Sequence, residues 1–358
     1  NLLSHHEKAV NTIENYDLRI FNSYENSVRS LMNDHPFDRK GIEKDSPKFI
    51  QIILIGFGDI GKRVILHAAQ TCHFANQKKP AIIVYDTNIA LEQNRFLTNN
   101  PAIKDICDIQ WKPFDFDNIK LEKEISTYLQ IESAITTILF VFDDPVKNIL
   151  KASEICQVVG EDTQVLVRMH DESRMAEALE SRKGDFFANQ IKVFGLPKQT
   201  SSFELIIEEE LDKMARAIHE YYLDKFPPQG APRPSQLPWN QLSQEYKDAN
   251  RQAANHIPVK LRAVNCEFVS EKDKRPQAEF PSDEIEMMAI MEHNRWCAER
   301  RLKGWTYAPV RDDLKKQNDC LIPWEKLPDK EKKKDREQVR NLHDILSRIG
   351  LKIIRRTD

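Results

Sequence analysis

The chain has 358 residues, of which 40% are hydrophobic and 30% charged, and its formal net charge is −3. This length exceeds what one hydrophobic core usually organises, so we expect two domains. A nucleic-acid partner is not expected, because the sequence lacks the clustered positive charge that such binding requires. The six cysteines are scattered, with no pair at zinc spacing, which predicts reduced thiols and no metal site.

The N-terminal part of the sequence predicts a connecting segment. Apolar residues recur at helical spacing up to about residue 35 and a charged loop follows, so residues 1–46 are predicted to form a helical connector. No stretch of the chain reaches the roughly 20 apolar residues of a membrane-spanning helix, and no signal peptide opens it. We therefore expect a soluble, cytoplasmic chain. Because its first residue is Asn1 and not methionine, the sequence is compatible with a missing N-terminal part.

Between residues 47 and 199, short apolar runs alternate with polar helical stretches, which is typical of a parallel α/β sheet. Six runs are predicted to be strands: Ile50–Ile55, Ala81–Tyr85, Ile109–Pro113, Ile135–Phe142, Gln164–Met169 and Ile191–Phe194. Helices are predicted near Lys62–Thr71, Leu121–Gln130, Val146–Val158 and Ser173–Glu180. The pattern predicts an α/β fold with a doubly wound parallel Rossmann sheet over residues 47–199.

A glycine-rich loop joins the first predicted strand to the helix that follows it. Gly56, Gly58 and Gly61 have the G-x-G-x-x-G spacing. The first permits a tight turn, the second lets the backbone approach a pyrophosphate, and the third lets the helix pack closely on the strand. The free amides and the positive dipole end of the helix then face the phosphates. The residues predicted to contact the nucleotide here are Gly56, Phe57, Gly58, Asp59, Ile60 and Gly61.

Asp86 follows the second predicted strand. An acid at this position hydrogen-bonds the ribose hydroxyls and repels a 2′-phosphate, so NAD(H) or a plain adenine nucleotide is expected and NADP is not. The alternative is a Rossmann fold that has lost its ligand. A dehydrogenase would also need a proton-transfer group. The candidate pair, Tyr221 with Lys225, falls in an amphipathic helix and is expected to serve as core and surface, which favours a sensor over a catalyst.

The second half is predicted to be mostly helical. Helices are expected over residues 206–225, 239–254 and 283–303, with a proline-rich loop between the first two. The segment Lys326–Arg340 alternates acids and bases and is predicted to be a solvated helix. The last strongly patterned piece ends at Ile354.

A second candidate site lies on the predicted helix 283–303. Glu292 and Glu299 fall on its apolar face. Since burying an unpaired carboxylate costs several kcal/mol, each needs a partner, and Arg295, Arg300 and Arg311 are available.

Aromatic residues close in sequence to these charges extend this candidate site. A flat aromatic ring with a guanidinium group suits stacking on a base and clamping a phosphate, so a small nucleotide-like ligand is one interpretation. The alternative is a structural ion-pair network under aromatic caps. The predicted site comprises Glu292, Arg295, Trp296, Glu299, Trp305, Tyr307, Arg311 and Trp324.

Residues 49–198 resemble the N-terminal nucleotide-binding domain of the regulator-of-K⁺-conductance (Trk-type) family. The resemblance rests on Ile55–Gly61, Asp86, Asp115, Phe140–Asp144 with Asn148, Val167–Arg168 and Val193–Gly195. It implies binding of NAD(H) or an adenine nucleotide and gating of an ion channel or transporter by a dimer. It also implies that Asp115, Asp143 and Arg168 border the ligand.

Residues 200–358 resemble the ryanodine-receptor (RyR) repeat domain. The residues that carry the resemblance are Ala215–Glu220, His256–Leu261, Glu292–Arg300, Gly304–Asp313, Leu321–Leu327 and Asp335–Arg336. Asn318 departs from the family, which more often has histidine there. Prokaryotic chains with this pairing of domains often place membrane helices ahead of it, and residues 21–37 look like their juxtamembrane connector.

Together the two resemblances imply the cytoplasmic part of a channel-like membrane protein. We therefore expect a nucleotide-sensing regulatory module that works as a homodimer or higher homo-oligomer on the cytoplasmic face of a membrane. Two other hypotheses stay open at this point. One is an NAD-dependent oxidoreductase with a helical substrate domain, and the other is a soluble receptor for a signalling nucleotide in stress or defence.

Overall fold

The computed structural model describes residues 22–116, 120–170, 190–202 and 212–357. Three predictions therefore lie wholly or partly outside the described residues. They are the first part of the connector, the helix at Ser173–Glu180 and the start of the helix at 206–225.

A six-stranded parallel sheet forms the first half of the molecule. Its strands are β1 (Phe49–Ile55), β2 (Ala81–Asp86), β3 (Asp108–Pro113), β4 (Ala134–Phe140), β5 (Gln164–Arg168) and β6 (Ile191–Phe194). The strand order β3-β2-β1-β4-β5-β6 places the reversal of the sheet between β1 and β4. This is the order of a doubly wound Rossmann fold, so the predicted fold class and all six predicted strands are confirmed.

The central strands β1, β2, β4 and β5 are covered on both faces, which explains why they are almost continuously apolar, whereas β3 at one side of the sheet is more polar and largely not buried. Ile52 and Leu54 of β1 pack into one hydrophobic cluster, while Ile53 and Ile55 pack into a second cluster on the opposite face. Alternate side chains of a strand point to opposite faces of a sheet, so a strand buried on both faces has no polar alternation.

Seven helices of the described chain belong to the first half. They are α1 (Ser23–Asp34), α2 (Asp59–Thr71), α3 (Ile89–Asn99), α4 (Ile103–Ile106), α5 (Leu121–Leu129), α6 (Pro145–Cys156) and α7 (Pro197–Thr200). The sequence did not predict α3, because only Ile89 and Phe96 of that helix are buried and its apolar stripe is too narrow to show a period.

The second half is mostly helical, as predicted. Its helices are α8 (Lys213–Lys225), α9 (Gln244–Ala263), α10 (Ser282–Leu302), α11 (Asp329–Arg340) and α12 (Leu342–Ser347). Its strands are β7 (Cys266–Ser270), paired antiparallel with β10 (Leu351–Arg355), and the short parallel pair β8 (Thr306–Tyr307) and β9 (Gln317–Asn318). Among the described residues, no helix combines the length and the apolar character needed to cross a bilayer.

The helix predicted over residues 239–254 corresponds to α9, and its predicted end is wrong. Helix α9 continues through Pro258 to Ala263. A proline inside a helix removes one hydrogen bond and crowds the preceding turn, at a cost of about 3 kcal/mol. The turns after it bury Val259, Lys260 and Leu261, and this packing offsets the cost.

The two halves share one hydrophobic cluster. Val64 and Ala68 of α2 belong to the same cluster as Ile257 and Leu261 of α9 and Met288 of α10. Helix α2 therefore covers the sheet with one face and contacts the second half with another. Because it begins at the glycine-rich loop, it links that loop directly to the helices of the second half.

Candidate functional site

The glycine-rich loop lies at the carboxyl end of β1, next to β4, where the strand order reverses. Gly56 has a φ of +97°, and a Cβ there would come within 3.2 Å of the Phe142 ring. A Cβ on Gly61 would approach the Gly56 carbonyl oxygen to 2.9 Å, so only glycine lets α2 pack this closely. A Cβ on Gly58 would meet nothing within 4 Å. Two glycines are thus required by the backbone, and the third borders open space.

Backbone amides line the start of α2. Gly58 is the N-cap residue of the helix, and its first hydrogen bond runs from the Lys62 amide to the Gly58 carbonyl, at 3.1 Å. The amides ahead of Lys62 therefore have no carbonyl of the helix to donate to. The side chains of Phe57 and Ile60 are buried in the core, so these two residues present only their backbone, whereas Asp59 is exposed. The arrangement suits an anion at the helix end.

The Asp86 carboxylate lies beside this loop. One of its oxygens, Oδ2, accepts a hydrogen bond from the Phe57 amide at 2.8 Å, and Oδ1 accepts one from the Asn88 amide at 2.9 Å. One amide of the loop is therefore used by Asp86 and not by a ligand. Each carboxylate oxygen keeps a further lone pair, so Asp86 can still accept a hydrogen bond from a ribose hydroxyl.

Beyond the point between β1 and β4 where the strand order reverses, Asp143 and Arg168 form an ion pair at the carboxyl ends of β4 and β5. The Arg168 Nη1 to Asp143 Oδ1 distance is 2.6 Å, and the Asp143 side chain is 94% exposed whereas that of Arg168 is 10% exposed. The buried Asn148 holds these strand ends together. The Asn148 Oδ1 accepts from the Phe142 N–H at 2.9 Å. Its Nδ2 donates to the Phe142 carbonyl at 2.9 Å and to the Arg168 carbonyl at 3.0 Å.

The remaining predicted residue, Asp115, is exposed and follows β3 at the outer edge of the sheet. Because neighbouring parallel strands lie about 4.8 Å apart, Asp115 is two strands and roughly 10 Å from the glycine loop. The structure thus places all the predicted nucleotide-contacting residues at the carboxyl ends of the strands, which we call the carboxyl edge of the sheet. Their order across the sheet is Asp115, Asp86, Gly56–Gly61, Asp143 and Arg168.

The connector helix α1 packs against this edge. The Tyr24 ring lies 5.8 Å from the Arg168 guanidinium, and Glu25 pairs with Arg63 of α2 at 3.2 Å. Farther along α1, Arg29 pairs with the buried Asp212 at 2.7 Å, just before α8. The connector therefore contacts both the candidate nucleotide site and the start of the second half.

The second candidate site separates into an inner and an outer part, and Glu292 is the centre of the inner part. This carboxylate is 1% exposed. Its Oε2 accepts from Lys260 at 2.7 Å, and its Oε1 accepts from Arg295 at 2.7 Å and from Gln338 at 3.2 Å. Burial raises a carboxyl pKa, but Arg295 and Lys260 hold the pKa of Glu292 well below its ordinary value.

The same network continues along α10. Arg295, which is buried, bonds Glu292 on one side and Glu299 at 2.8 Å on the other, and Lys303 donates to Glu299 at 3.0 Å. Of the three arginines predicted as partners of the acids, only Arg295 pairs with them. Sequence reasoning missed Lys260, because it lies on another helix, 32 positions away from Glu292.

The outer part is a stack of Trp296, Arg300 and Trp305, which we call the tryptophan–arginine stack. The Arg300 guanidinium lies 5.6 Å from the Trp296 ring and 5.2 Å from the Trp305 ring. Beside it, Tyr307 is 57% exposed, and Arg311 pairs with Asp313 at 2.7 Å on the surface. Stacking of a guanidinium on indole rings leaves flat apolar and cationic surface next to solvent.

Trp324 is joined to this stack through the His293 ring, whose centroid lies 5.7 Å from that of Trp324 and 6.0 Å from that of Trp296. It is buried, and its indole N–H donates to Glu286 at 3.1 Å, while Arg336 donates to the same carboxylate at 2.6 Å. Asn318, which stands where the resembling family more often has histidine, is buried and accepts from the Cys320 amide at 2.8 Å. Both residues therefore have structural partners.

Two buried histidines of the second half were not predicted as functional. Both ring nitrogens of His293 face acceptors: Nδ1 lies 3.6 Å from Asp335 Oδ2, and Nε2 lies 2.8 Å from the Ile322 carbonyl. Although burial lowers it, the bond with Asp335 raises the pKa of His293 to about 10. For His256, burial and the neighbouring Lys260 hold the pKa well below its ordinary value. These shifts favour the protonated form of His293 and the neutral form of His256.

Side chains of the second half bond the backbone of the loop that follows α2. His256 Nε2 lies 3.0 Å from the His73 carbonyl, and Asn294 donates to the Phe74 carbonyl at 3.1 Å. His256 Nδ1 is buried 4.0 Å from Glu292. The buried charge network is thus one side chain away from the helix that begins at the glycine loop.

These observations define an α/β chain with a Rossmann-like parallel sheet and a helical second half. Residues 281–355, about a fifth of the chain, match the RyR domain family, so the predicted RyR domain is confirmed over those residues. The match runs from α10 to β10 and includes every residue of the second candidate site. It does not include Ala215–Glu220 or His256–Leu261, and the resemblance of residues 49–198 to the Trk-type family stays a prediction.

Proposed function

We propose that this chain is a nucleotide-sensing regulatory module in which NAD(H) or an adenine nucleotide binds at the carboxyl edge of the sheet. The observation that carries the proposal is the position of Gly58. It borders open space at the start of α2, at the reversal of the strand order, with Asp86 fixed beside it. A dinucleotide binds to a Rossmann sheet at this position.

The charges along the edge favour a ligand without an additional phosphate. Asp59 and Asp143 are exposed on either side of the reversal, and Asp86 is held by two amides. A 2′-phosphate next to Asp86 would be repelled, while ribose hydroxyls would donate to it. The proposal is therefore for NAD(H) or an unmodified adenine nucleotide and not for NADP.

A regulatory role fits the contacts better than a catalytic one. Tyr221, the candidate proton donor, packs in the second half against Ala217 and Ile345, with the Lys225 ammonium 5.4 Å from its ring. The edge of the sheet, by contrast, contacts the connector through Tyr24 and Arg168. Ligand that binds near Arg168 would thus bias the position of α1, and through it a preceding membrane part of a channel-like dimer.

The direct test is a thermal unfolding screen of the whole chain with NAD, NADH, ATP, AMP, ADP-ribose and cyclic nucleotides. A ligand present at 100 times its Kd stabilises the folded state by about 2.7 kcal/mol, which is a readily measured shift in Tm. We expect at least one adenine nucleotide to give such a shift and NADP to give less. The proposal is wrong if none of them does and calorimetry detects no binding heat.

Substitutions of Gly58 test where the ligand binds. Asp is a favourable N-cap residue, so Gly58→Asp should leave Tm without ligand unchanged or higher, while its carboxylate repels phosphate at the helix end. We expect nucleotide affinity to fall at least about 100-fold. Gly58→Asn has the same shape without charge and should lose clearly less. Equal losses in the two variants would show that no phosphate lies at this helix end.

The tryptophan–arginine stack supports a second ligand site in the RyR domain. Its rings and the exposed Tyr307 offer stacking surface, and Arg300 Nε is buried without a hydrogen-bond partner among the described residues. Trp305→Ala combined with Arg311→Ala should remove any nucleotide-dependent stabilisation contributed by this domain and leave the fold intact. If each single variant unfolds instead, these residues are structural.

A further inference from the structure

An open cleft of about 610 Å³ lies between the loop after α1 and the second half of the chain. Pro36 and Arg39 line it from the loop, Asn255 and Arg262 from α9, and Phe268 from β7. Its volume is in the range of roughly 300–1,000 Å³ that small-molecule sites occupy, and such sites are frequent at domain interfaces. It is separate from the edge of the sheet and independent of the function proposed above.

The lining of the cleft combines apolar and cationic side chains. Leu261, Phe268 and Leu351 contribute apolar surface. Arg39, Arg262, Arg356 and Lys213 contribute positive charge, and Glu267 is the one acid among the described residues that line it. Glu267 pairs with Arg275 at 3.3 Å, outside the cleft, so it does not neutralise the arginines. The cleft therefore suits a ligand that has an apolar body and a negative charge.

Two of the three arginines have no carboxylate partner among the described residues. Arg262 is paired with Asp38 through two bonds of 2.7 and 2.8 Å. Among the described residues, the Arg39 guanidinium donates to the carbonyls of Thr136 and Asp162 and forms no ion pair, and its Nε is buried without a partner. Burial lowers the pKa of Arg39, and the nearby Asp162 carboxylate offsets this only in part.

Arg39 and Arg356 form no ion pair with the described residues, so a bound anion would stabilise them. Arg39 also has a φ of +50°, a strained region for a non-glycine residue that is common at ligand sites. For the Arg356 side chain, the described chain supplies no hydrogen bond or ion pair. A partly buried guanidinium without a carboxylate is costly, and an anion would compensate it.

We propose that this interdomain cleft binds a small organic anion, in which a flat apolar body lies against Phe268 and Leu351. Its single carboxylate, sulfonate or phosphate group accepts hydrogen bonds from Arg39 and Arg356. Such a ligand contacts the connector loop and the second half at once and so stabilises their packing. A nucleotide with several phosphates fits this lining less well than a singly charged aromatic acid, because much of the surface is apolar.

The probe for the test is 8-anilinonaphthalene-1-sulfonate, which joins aromatic rings to one sulfonate and fluoresces when it leaves water. With the whole chain we expect a saturable rise in fluorescence with one molecule bound per chain. Asn255→Glu places a carboxylate in the cleft and should raise the Kd of the probe about tenfold, by like-charge repulsion. Asn255→Gln, which is longer but neutral, is the matched control and should bind as the wild type does.

A second pair of variants keeps the proposal testable if Asn255→Glu does not fold. Arg356→Gln should raise the Kd about threefold or more, because it removes an uncompensated cation, whereas Arg340→Gln, on an exposed position of α11, should have no effect. Excess NAD should not displace the probe. The proposal is overturned if no saturable binding occurs, if both cleft variants bind like the wild type, or if NAD displaces the probe stoichiometrically.

Discussion

Two arginine–carboxylate pairs of this molecule have nearly the same geometry and opposite surroundings. Arg168 and Asp143 meet at 2.6 Å at the edge of the sheet, and Arg295 and Glu292 meet at 2.7 Å inside the RyR domain. The side chain of Asp143 is 94% exposed, whereas that of Glu292 is 1% exposed. The bond lengths therefore say little about what each pair does.

The difference lies in what else each carboxylate contacts. Glu292 also bonds Lys260 and Gln338, so its hydrogen-bonding capacity is used inside the protein. Asp143 faces water with most of its surface, and a ligand can take its place on Arg168 at small cost. A pair that is buried on both sides maintains the fold, while a pair with one exposed carboxylate at the end of a strand can exchange that carboxylate for a ligand.

The largest effect is expected for Glu292→Gln. This change keeps the shape of the side chain but leaves Lys260 and Arg295 buried without their common counter-charge. Breaking a buried ion pair by removing one partner costs about 3–5 kcal/mol, so urea unfolding should show a loss of this size or a chain that no longer folds. Glu154→Gln, at a pair with Lys151 on α6, is the control and should change stability by less than about 1 kcal/mol. A loss below about 1 kcal/mol in Glu292→Gln would contradict the contrast.

The next effect concerns pH and the His293–Asp335 pair. Since the folded chain raises the pKa of His293 to about 10, the protonated imidazolium stabilises it fully below the ordinary value of 6.5. This stabilisation is lost as the pH rises from 6.5 towards 10. The difference in unfolding free energy between wild type and His293→Gln should therefore shrink over that range, by about 1.4 kcal/mol for each unit by which the pKa is raised. A difference that is constant with pH would show that His293 is neutral in the folded state.

A moderate effect is expected for Asp86→Asn. The amide oxygen can still accept one of the two backbone N–H groups, so stability should fall by about 1 kcal/mol. Nucleotide affinity should fall much more, because the ribose loses a charged acceptor. Comparison of Tm with and without NAD separates the two effects. If the stability falls by several kcal/mol and the affinity is unchanged, Asp86 belongs with the structural carboxylates.

The smallest effect is expected for Asp143→Asn. Because Asp143 is exposed while Arg168 is buried, the loss in unfolding free energy should be about 1 kcal/mol, above that of a fully exposed pair and well below that of Glu292→Gln. Chemical denaturation under the conditions used for Glu292→Gln makes the comparison direct. A loss above about 2 kcal/mol would mean that Arg168 depends on Asp143 as Arg295 depends on Glu292.

Most of the fold could be predicted from the sequence, because its signals are local. Strands β1, β2, β4 and β5 are short apolar runs bounded by polar segments, and the structure has all six predicted strands. Helix α3 was missed because its buried face is narrow, and the end of α9 was misplaced at Pro258. In both cases contacts with distant parts of the chain decide the structure, and no local pattern shows them.

The candidate sites could be predicted only in part, for the same reason. The glycine loop and Asp86 follow strand ends, where position in the chain indicates position in the sheet. The eight residues of the second site are close in sequence, yet the structure divides them between a buried network, the tryptophan–arginine stack, the surface residues Tyr307 and Arg311, and the buried Trp324. The partners that decide this division, Lys260 and Asp335, lie on α9 and α11.

Helix α2 also has a mechanical consequence. It is 13 residues and about 20 Å long, and a hydrogen-bonded helix is much stiffer than the loops at its ends. Its first turn lies at Gly58, and beyond its last turn the carbonyls of His73 and Phe74 are held by His256 and Asn294. A tilt of the first turn would therefore be passed to the second half of the chain through these two hydrogen bonds and through the shared hydrophobic cluster, as far as the short loop at residues 72–74 allows.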